Sequence, residues 1–384
     1  MFAHNRIIPF TTINTENTYD VHNNDLHYIL KHQYHNCINI LNSIDCSEEL
    51  LLTKDIDDNN LFMAACQYQP AVAPIILNLC NFHTKISEKI LLETNKEGNN
   101  ALMIACKYQS QVVPFILESK YFFDREGSDF RTKISDQILT TKNNEGNNAL
   151  MIACRYDGEI IYDIVNSPFF NAQILSEKNN EGYNALMIAC QCQPHHIISI
   201  LEYKYFTEEI LLEKNNYGYN ALMISCMYCG CAIYDIINSK YFTKKLLYEK
   251  NNGYNSLMIS CLCQISADNA ILKSKYCTRD LLLETNNKGN NIFMLICEKQ
   301  PLSVHYILSL PFIIPELVTN TNKNGCNALM IACKKQYYDV VKYILKSKYR
   351  DIIITNYKKQ NFMKKIYYSW FHLEYYITMN ENIM

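Results

Sequence analysis

The strongest constraint in this sequence is an internal repeat, a short apolar string that follows an asparagine-rich turn. In its clearest form the string reads ALMIAC. Eight near-copies end at Cys66, Cys106, Cys154, Cys190, Cys226, Cys261, Cys297 and Cys333. Successive cysteines in that series are 40, 48, 36, 36, 35, 36 and 36 residues apart. A unit this short cannot bury its own apolar side chains, so neighbouring units must stack and share one core.

Each unit predicts a pair of helices. One copy opens with NNYGYN, where Gly218 supplies the left-handed backbone of a tight turn. Asn220 is expected to cap a first helix over 221–228, and apolar residues at helical spacing predict a second helix over about 232–239. The tail YFTKKLLYEK could add a further helical turn. In the first clear unit Asp58 replaces the turn glycine, and aspartate tolerates that conformation better than most residues.

The repeated string resembles the ankyrin repeat, whose consensus runs D-x-x-G-x-T-P-L-H-x-A-A. Gly218 matches the turn glycine, Asn220 the capping threonine and Leu222 the leucine. The consensus proline is Ala or Ser in most units, the histidine is Met, and the period is 36 residues rather than about 33. The resemblance covers about 45–349 and implies an all-α, helix-turn-helix repeat solenoid of about eight units with capping ends. A bias toward Asn, Ile, Lys and Tyr makes the chain resemble ankyrin-type proteins encoded by giant DNA viruses.

Three regions follow from the repeat. They are an N-terminal segment with degenerate capping helices (1–44), the ankyrin-like array (45–349), and a C-terminal capping helix or tail (350–384). Asp25–Ser43 carries helical apolar spacing and is predicted to cap the first unit. Asn361–Met379 is aromatic and contains Trp370; we expect it to cap the last unit, and a docking helix for a second partner is the alternative.

Composition excludes several classes of protein. The net charge of −2 gives no general attraction to nucleic acid or to an anionic membrane. We expect no membrane span, since no run of about 18 apolar residues occurs. The 17 cysteines are odd in number and many lie in apolar runs, which indicates a reducing compartment, cytoplasmic or else nuclear. A monomer is expected.

The motifs of common enzyme classes are absent from the sequence: it contains no GxxxxGK[ST], GxGxxG, GxSxG or HExxH string. We therefore expect neither catalysis nor a cofactor. The eight repeated cysteines are interpreted as core residues, because a nucleophile needs one special environment rather than eight equivalent ones.

A second set of cysteines lies near the turn between the two helices in three adjacent units. The set is Cys192, Cys229, Cys231 and Cys263, with His195 and His196 close by in sequence. Packing at the solvent edge is the favoured interpretation, and no metal site is predicted. A metal-binding protein that uses these turn cysteines remains an alternative.

The predicted binding surface follows from the resemblance, because partners of ankyrin-like stacks dock on a concave face lined by turn tips and first helices. Exposed tyrosines suit such a surface, since each gives a large contact area at low entropic cost. Their abundance, 29 in the chain, is the plain alternative explanation. The residues predicted to bind a partner are Tyr183, Tyr217, Tyr219 and Tyr254 in the tips, and Tyr108, Arg155, Tyr156, Met227 and Tyr228 at the ends of first helices.

The function expected from these observations is a protein–protein interaction scaffold that binds a protein partner of unknown identity. One alternative is an adaptor that recruits a second partner, for example ubiquitin ligase machinery, through a terminal segment.

Overall fold

The computed structural model of the chain describes a series of short helices. The described residues are 23–32, 41, 48–79, 89–118, 137–263, 270–299, 304–309 and 314–359. Within these ranges the backbone forms no strand, only the isolated bridges Lys54–Asn60 and Asn251–Tyr254. None of the helices in these ranges is long and apolar enough to cross a membrane.

Eight inner helices, one for each ALMIAC string, define units 1 to 8. They are Leu61–Tyr68, Ala101–Tyr108, Ala149–Tyr156, Ala185–Cys192, Ala221–Tyr228, Ser256–Cys263, Ile292–Lys299 and Ala328–Lys334. The helix predicted over 221–228 is therefore confirmed. Each inner helix packs against the inner helices of the units before and after it, which makes one continuous stack.

An outer helix follows the inner helix within a unit. The described outer helices are Ala73–Leu79, Val113–Leu117, Ile161–Val165, Ile197–Leu201, Gly230–Asn238, Val304–Ser309 and Tyr338–Lys346. Single 3-10 turns, Ser110–Val112 and Pro194–His196, precede two of them. In unit 5 the outer helix begins at Gly230, two residues before the predicted start.

The tails of units 3 to 7 each form a third, short helix, which the sequence had only suggested, and a similar helix precedes unit 1. These helices are Glu48–Leu51, Ala172–Ser176, Glu208–Leu212, Lys244–Tyr248, Arg279–Leu283 and Pro315–Thr319. Each buries a pair of neighbouring apolar residues, such as Leu246 and Leu247. The extra residues beyond the ankyrin period thus add apolar surface to the core. Asn23–His32 and Arg350–Lys359 are the outermost described helices.

The inner helices form the core because almost all of their length is buried. In units 1 to 7 the first six residues of the inner helix are all buried. The predicted core positions Leu222, Met223 and Cys226 are each 0% exposed. Cys333 in unit 8 is half-buried, because the stack of described inner helices ends there.

An asparagine caps each inner helix, as predicted. In all eight units its side-chain oxygen accepts a hydrogen bond from the backbone N–H three residues later, at 2.9–3.0 Å. The turn before the cap has the predicted left-handed residue, with φ of +83° at Gly218 and +61° at Asp58. Both expectations from the NNYGYN string are therefore confirmed.

Successive turns, which we call tips, bond to each other through their backbones. The N–H groups of Asn144, Asn180 and Asn216 each donate to a carbonyl in the preceding tip, at 3.0 Å. A first asparagine also stabilises each tip from within; in unit 4 the Asn179 side chain accepts from the backbone N–H groups of Glu181 and Tyr183. The tips therefore form one connected edge of the stack.

Candidate partner-binding surface

The tips and the last two residues of each inner helix form a continuous surface, which we call the tip face. Two ion pairs join its two components: Lys107 lies 3.1 Å from Glu97, and Arg155 lies 3.2 Å from Glu145. The last two positions of the inner helix are less buried than the six before them. They also differ in charge and size from unit to unit.

Four of the predicted residues are the most exposed aromatic side chains of the tip face. Tyr108, Tyr156 and Tyr228 end the inner helices of units 2, 3 and 5, and Tyr217 lies in the tip of unit 5. Between 43% and 57% of each residue is accessible to solvent. These four side chains are therefore the part of the predicted surface that is most accessible to a partner.

The other predicted residues are only half exposed. Tyr183, Tyr219 and Tyr254 lie immediately before the buried cap asparagine, so their rings pack partly against the core. Met227 also packs against the core, and Arg155 forms an ion pair with Glu145. Of the four tip tyrosines, Tyr217 is therefore the most exposed, and the other three offer only part of a ring.

Neighbouring side chains fix the orientation of several of these rings. The Lys107 ammonium lies 5.1 Å from the centre of the Tyr108 ring and 5.9 Å from that of Tyr156, between units 2 and 3. The rings of Tyr183 and Tyr217 meet edge to face with centroids 6.4 Å apart. Burial raises the pKa of Tyr183, and Tyr228 nearby adds to the rise. The tip face of units 2 to 5 is thus aromatic and locally charge-balanced.

The repeated cysteines have the chemistry of core residues. Burial raises the pKa of the Cys66, Cys106, Cys154 and Cys297 thiols well above the ordinary value, and raises that of Cys190 to about 12. At neutral pH these groups are protonated thiols, and a protonated thiol is a poor nucleophile.

The turn cysteines do not assemble a metal site in the described residues. Cys229 and Cys231 form a disulfide with each other, so the expectation of simple edge packing is wrong for this pair; one residue, Gly230, separates them, and their Cα atoms are 5.6 Å apart. Cys192 and Cys263 are exposed at inner-helix ends. The Cys231 sulfur lies 3.9 Å from Nε2 of His195 in the preceding unit. Within the described ranges no group of three or more His, Cys, Asp or Glu residues could hold a metal ion.

The predicted ends are only partly described. Asn23–His32 packs on the inner helix of unit 1, and Arg350–Lys359 packs on the last outer helix. Asn361–Met379, including Trp370, lies outside the described residues, and so does most of the segment 1–44. The choice between a capping helix and a docking helix at the C-terminal end stays a prediction, as does the adaptor role that depends on it.

The sequence prediction also left out the tip face of the last two units. The positions equivalent to Tyr228 hold Lys299 in unit 7 and Lys335 in unit 8. A comparison of the two residues that follow each ALMIAC-like string would have revealed this change from aromatic to basic.

Stacked units of this kind define an all-α repeat solenoid. Residues 268–356 match the family model of ankyrin repeats in three copies, so this stretch carries ankyrin repeats. The same tip, cap and inner helix recur in the units before it. No curated protein matches the sequence.

One similar solved structure is the complex of a predatory endopeptidase from Bdellovibrio bacteriovorus with an immunity protein. A chain of that complex is 19% identical in sequence, and the TM-score is 0.42. The match covers 53% of this chain and 99% of the other.

Proposed function

We propose that this chain is a non-catalytic scaffold that holds a protein partner on the tip face of units 2 to 5. The observation that carries the proposal is the row of exposed tyrosines, Tyr108, Tyr156, Tyr217 and Tyr228, on one connected surface. Ankyrin repeats in the chain support a role in protein binding. The proposed function is binding alone and includes no chemical reaction.

The dimensions of the stack suit a protein partner. Helices pack about 8–10 Å apart, so the tip face from unit 2 to unit 5 extends over about 30 Å. A surface of this length is large enough for a standard protein–protein interface, which buries about 800 Å² on each partner. Tyrosine is enriched at the energetic centres of such interfaces.

Pre-organisation of the rings supports the same function. The Lys107 ammonium lies between the rings of Tyr108 and Tyr156, and the Tyr217 ring packs edge to face against that of Tyr183. Side chains already ordered in the free protein lose less conformational entropy when a partner binds. The capped and stacked helices beneath them keep the backbone of the surface in place.

The test compares two matched pairs of tyrosines in the same two units. Tyr156 and Tyr228 lie on the tip face of units 3 and 5, and Tyr162 and Tyr234 lie on the outer helices of those units. All four residues are about half exposed, at 46–62%. We expect Tyr156→Ser with Tyr228→Ser to reduce recovery of the native partner by about tenfold or more, and Tyr162→Ser with Tyr234→Ser to leave it nearly unchanged.

Affinity capture from the native cell followed by quantitative mass spectrometry measures this difference. Circular dichroism melting curves establish that both double variants fold. Equal recovery with the two double variants, or a loss confined to the outer-helix pair, would overturn the assignment of the tip face.

A further inference from the structure

The tip face of units 7 and 8 carries a cluster of five exposed lysines, which we call the lysine patch. Its members are Lys288 and Lys323 in the tips, and Lys299, Lys334 and Lys335 at the ends of the inner helices.

Several contacts place these five residues together. The backbone N–H of Lys323 donates to the carbonyl of Lys288 at 3.1 Å, which sets the two tips side by side. Glu298 lies 3.9 Å from the Lys299 ammonium and 3.8 Å from that of Lys335. Lys334 is close enough to Cys326, in the tip of unit 8, to offset part of the rise in the pKa of that thiol caused by burial. The patch is therefore one surface that spans two units.

The lysine patch has an excess of positive charge that the tip face of units 2 to 4 lacks. There, the three bases Lys96, Lys107 and Arg155 are matched in number by three acids, Glu97, Glu145 and Glu181. Lys107 pairs with Glu97, and Arg155 pairs with Glu145. In the patch, the salt bridges found among the described residues give five lysines a single acidic partner, Glu298. Burying uncompensated ammonium groups under a neutral partner would be costly, so an occupant of this surface must supply negative charge.

The chemistry of the tip face changes along the stack. The inner helix of unit 5 ends in Met227 and Tyr228, and that of unit 6 ends in Leu262 and Cys263. The equivalent positions of units 7 and 8 are basic except for Glu298. One extended occupant would therefore meet an apolar surface followed by a basic one.

We propose that the lysine patch binds an acidic segment of the partner, while apolar residues next to that segment contact units 5 and 6. This inference rests on the proposed scaffold function and names the chemistry of the partner. Complementary charge of this kind raises the rate of association and fixes the direction in which the partner lies along the stack.

A protein segment fits the patch better than a nucleic acid. The sequence has a pI of about 6.6 and a net charge of −2, whereas a nucleic-acid-binding domain usually has a pI above about 9 and a wide basic footprint. Five lysines on two units match a short run of aspartates or glutamates. The adjoining Leu262 and Tyr228 offer contacts to apolar side chains that a phosphate backbone does not provide.

The experiment measures binding of a fluorescein-labelled peptide, six glutamates followed by a short apolar stretch, to the full chain by fluorescence anisotropy. We expect Lys299→Gln, Lys334→Gln and Lys335→Gln together to weaken binding by about tenfold or more. The control replaces Lys240, Lys275 and Lys348 with glutamine; each is exposed and lies over a tyrosine ring in the tail of its unit. This control removes the same charge elsewhere and should change binding by less than about threefold.

Binding should also weaken between about 50 and 300 mM NaCl, because exposed charges are screened. Equal losses in the two triple variants, no binding of the peptide, or tighter binding of a single-stranded oligonucleotide of the same charge would overturn the inference. Partner recovery separates the two proposals. If the lysine triple recovers the native partner fully while the Tyr156/Tyr228 double variant does not, the acidic segment is ruled out and the scaffold function stands.

Discussion

At the scale of single residues, the cap asparagine does more than end a helix. Its side-chain oxygen caps its own inner helix, and in several units its amide donates to the tail that closes the same unit. Asn60 and Asn100 donate to the carbonyls of Ile90 and Ile138, at 3.0 and 2.9 Å. A threonine hydroxyl is too short to make both bonds, which explains the asparagine found in place of the ankyrin threonine. The cap could be predicted because it is local, and the second bond could not, because its acceptor lies 30 to 38 residues away.

A comparison of Asn148 with Asn220 tests the second role of the cap. The Asn148 amide donates to the Ile174 carbonyl at 3.3 Å and to the Glu177 carboxylate at 3.0 Å. The buried Asn220 amide has no hydrogen-bond partner among the described residues. Serine is as good a cap as asparagine but lacks the amide. We expect Asn148→Ser to lower the free energy of unfolding by about 1–3 kcal/mol, and Asn220→Ser to change it by less than about 1 kcal/mol.

Urea unfolding followed by circular dichroism gives both values. The same loss at the two positions would mean that the amide adds nothing to the contact between the cap and the tail of its unit, and that only the cap and the volume of the side chain matter.

At the scale of elements, the tails of the units form two rows of contacts that join one unit to the next. Lysine–glutamate pairs connect successive units at Lys142–Glu177, Lys178–Glu213, Lys214–Glu249 and Lys250–Glu284. Aromatic pairs do the same at Phe170–Tyr203, Phe206–Tyr241 and Phe242–Tyr276. The string KYF recurs in the tails of units 4 and 5, which indicates a row of aromatic residues. The aromatic pairs themselves form between neighbouring units, so the sequence of a single unit does not reveal them.

The coupling energy of one lysine–glutamate pair should depend on its burial. Lys214–Glu249 and Arg279–Glu316 have the same separation, 2.6 Å, but the first pair is about one third exposed and the second about one half. The Lys214 ammonium also donates to the Lys250 carbonyl of the next unit. We expect a coupling of about 0.5–1 kcal/mol for the first pair and below about 0.5 kcal/mol for the second.

Double-mutant cycles measure both couplings, with Lys214→Met and Glu249→Gln in one cycle and Arg279→Met and Glu316→Gln in the other. Repetition in high salt should reduce the Arg279–Glu316 value more. A larger coupling in the more exposed pair would contradict the view that partly buried pairs contribute most to the contacts between units.

At the scale of the whole molecule, the period of the sequence was enough to predict the stack, the inner helices and the core positions, because only stacked neighbours can bury the ALMIAC strings. The exposure of individual surface side chains was harder to predict. Tyr217 and Tyr219 lie two residues apart in the same tip, yet only the first is largely exposed. Tyr219 precedes the buried cap asparagine and packs against the core, a contact that only the stacked structure shows. The shared charge of the lysine patch likewise arises only when units 7 and 8 stack.

The most direct test of the tip face places a photoreactive aromatic amino acid, benzoylphenylalanine, at single positions in the native cell. Tyr156 and Tyr228 probe the tip face, and Tyr162 and Tyr234 probe the outer helices of the same units. We expect covalent adducts with one protein partner from positions 156 and 228 and none from 162 and 234. Adducts from the outer-helix positions alone would contradict this expectation.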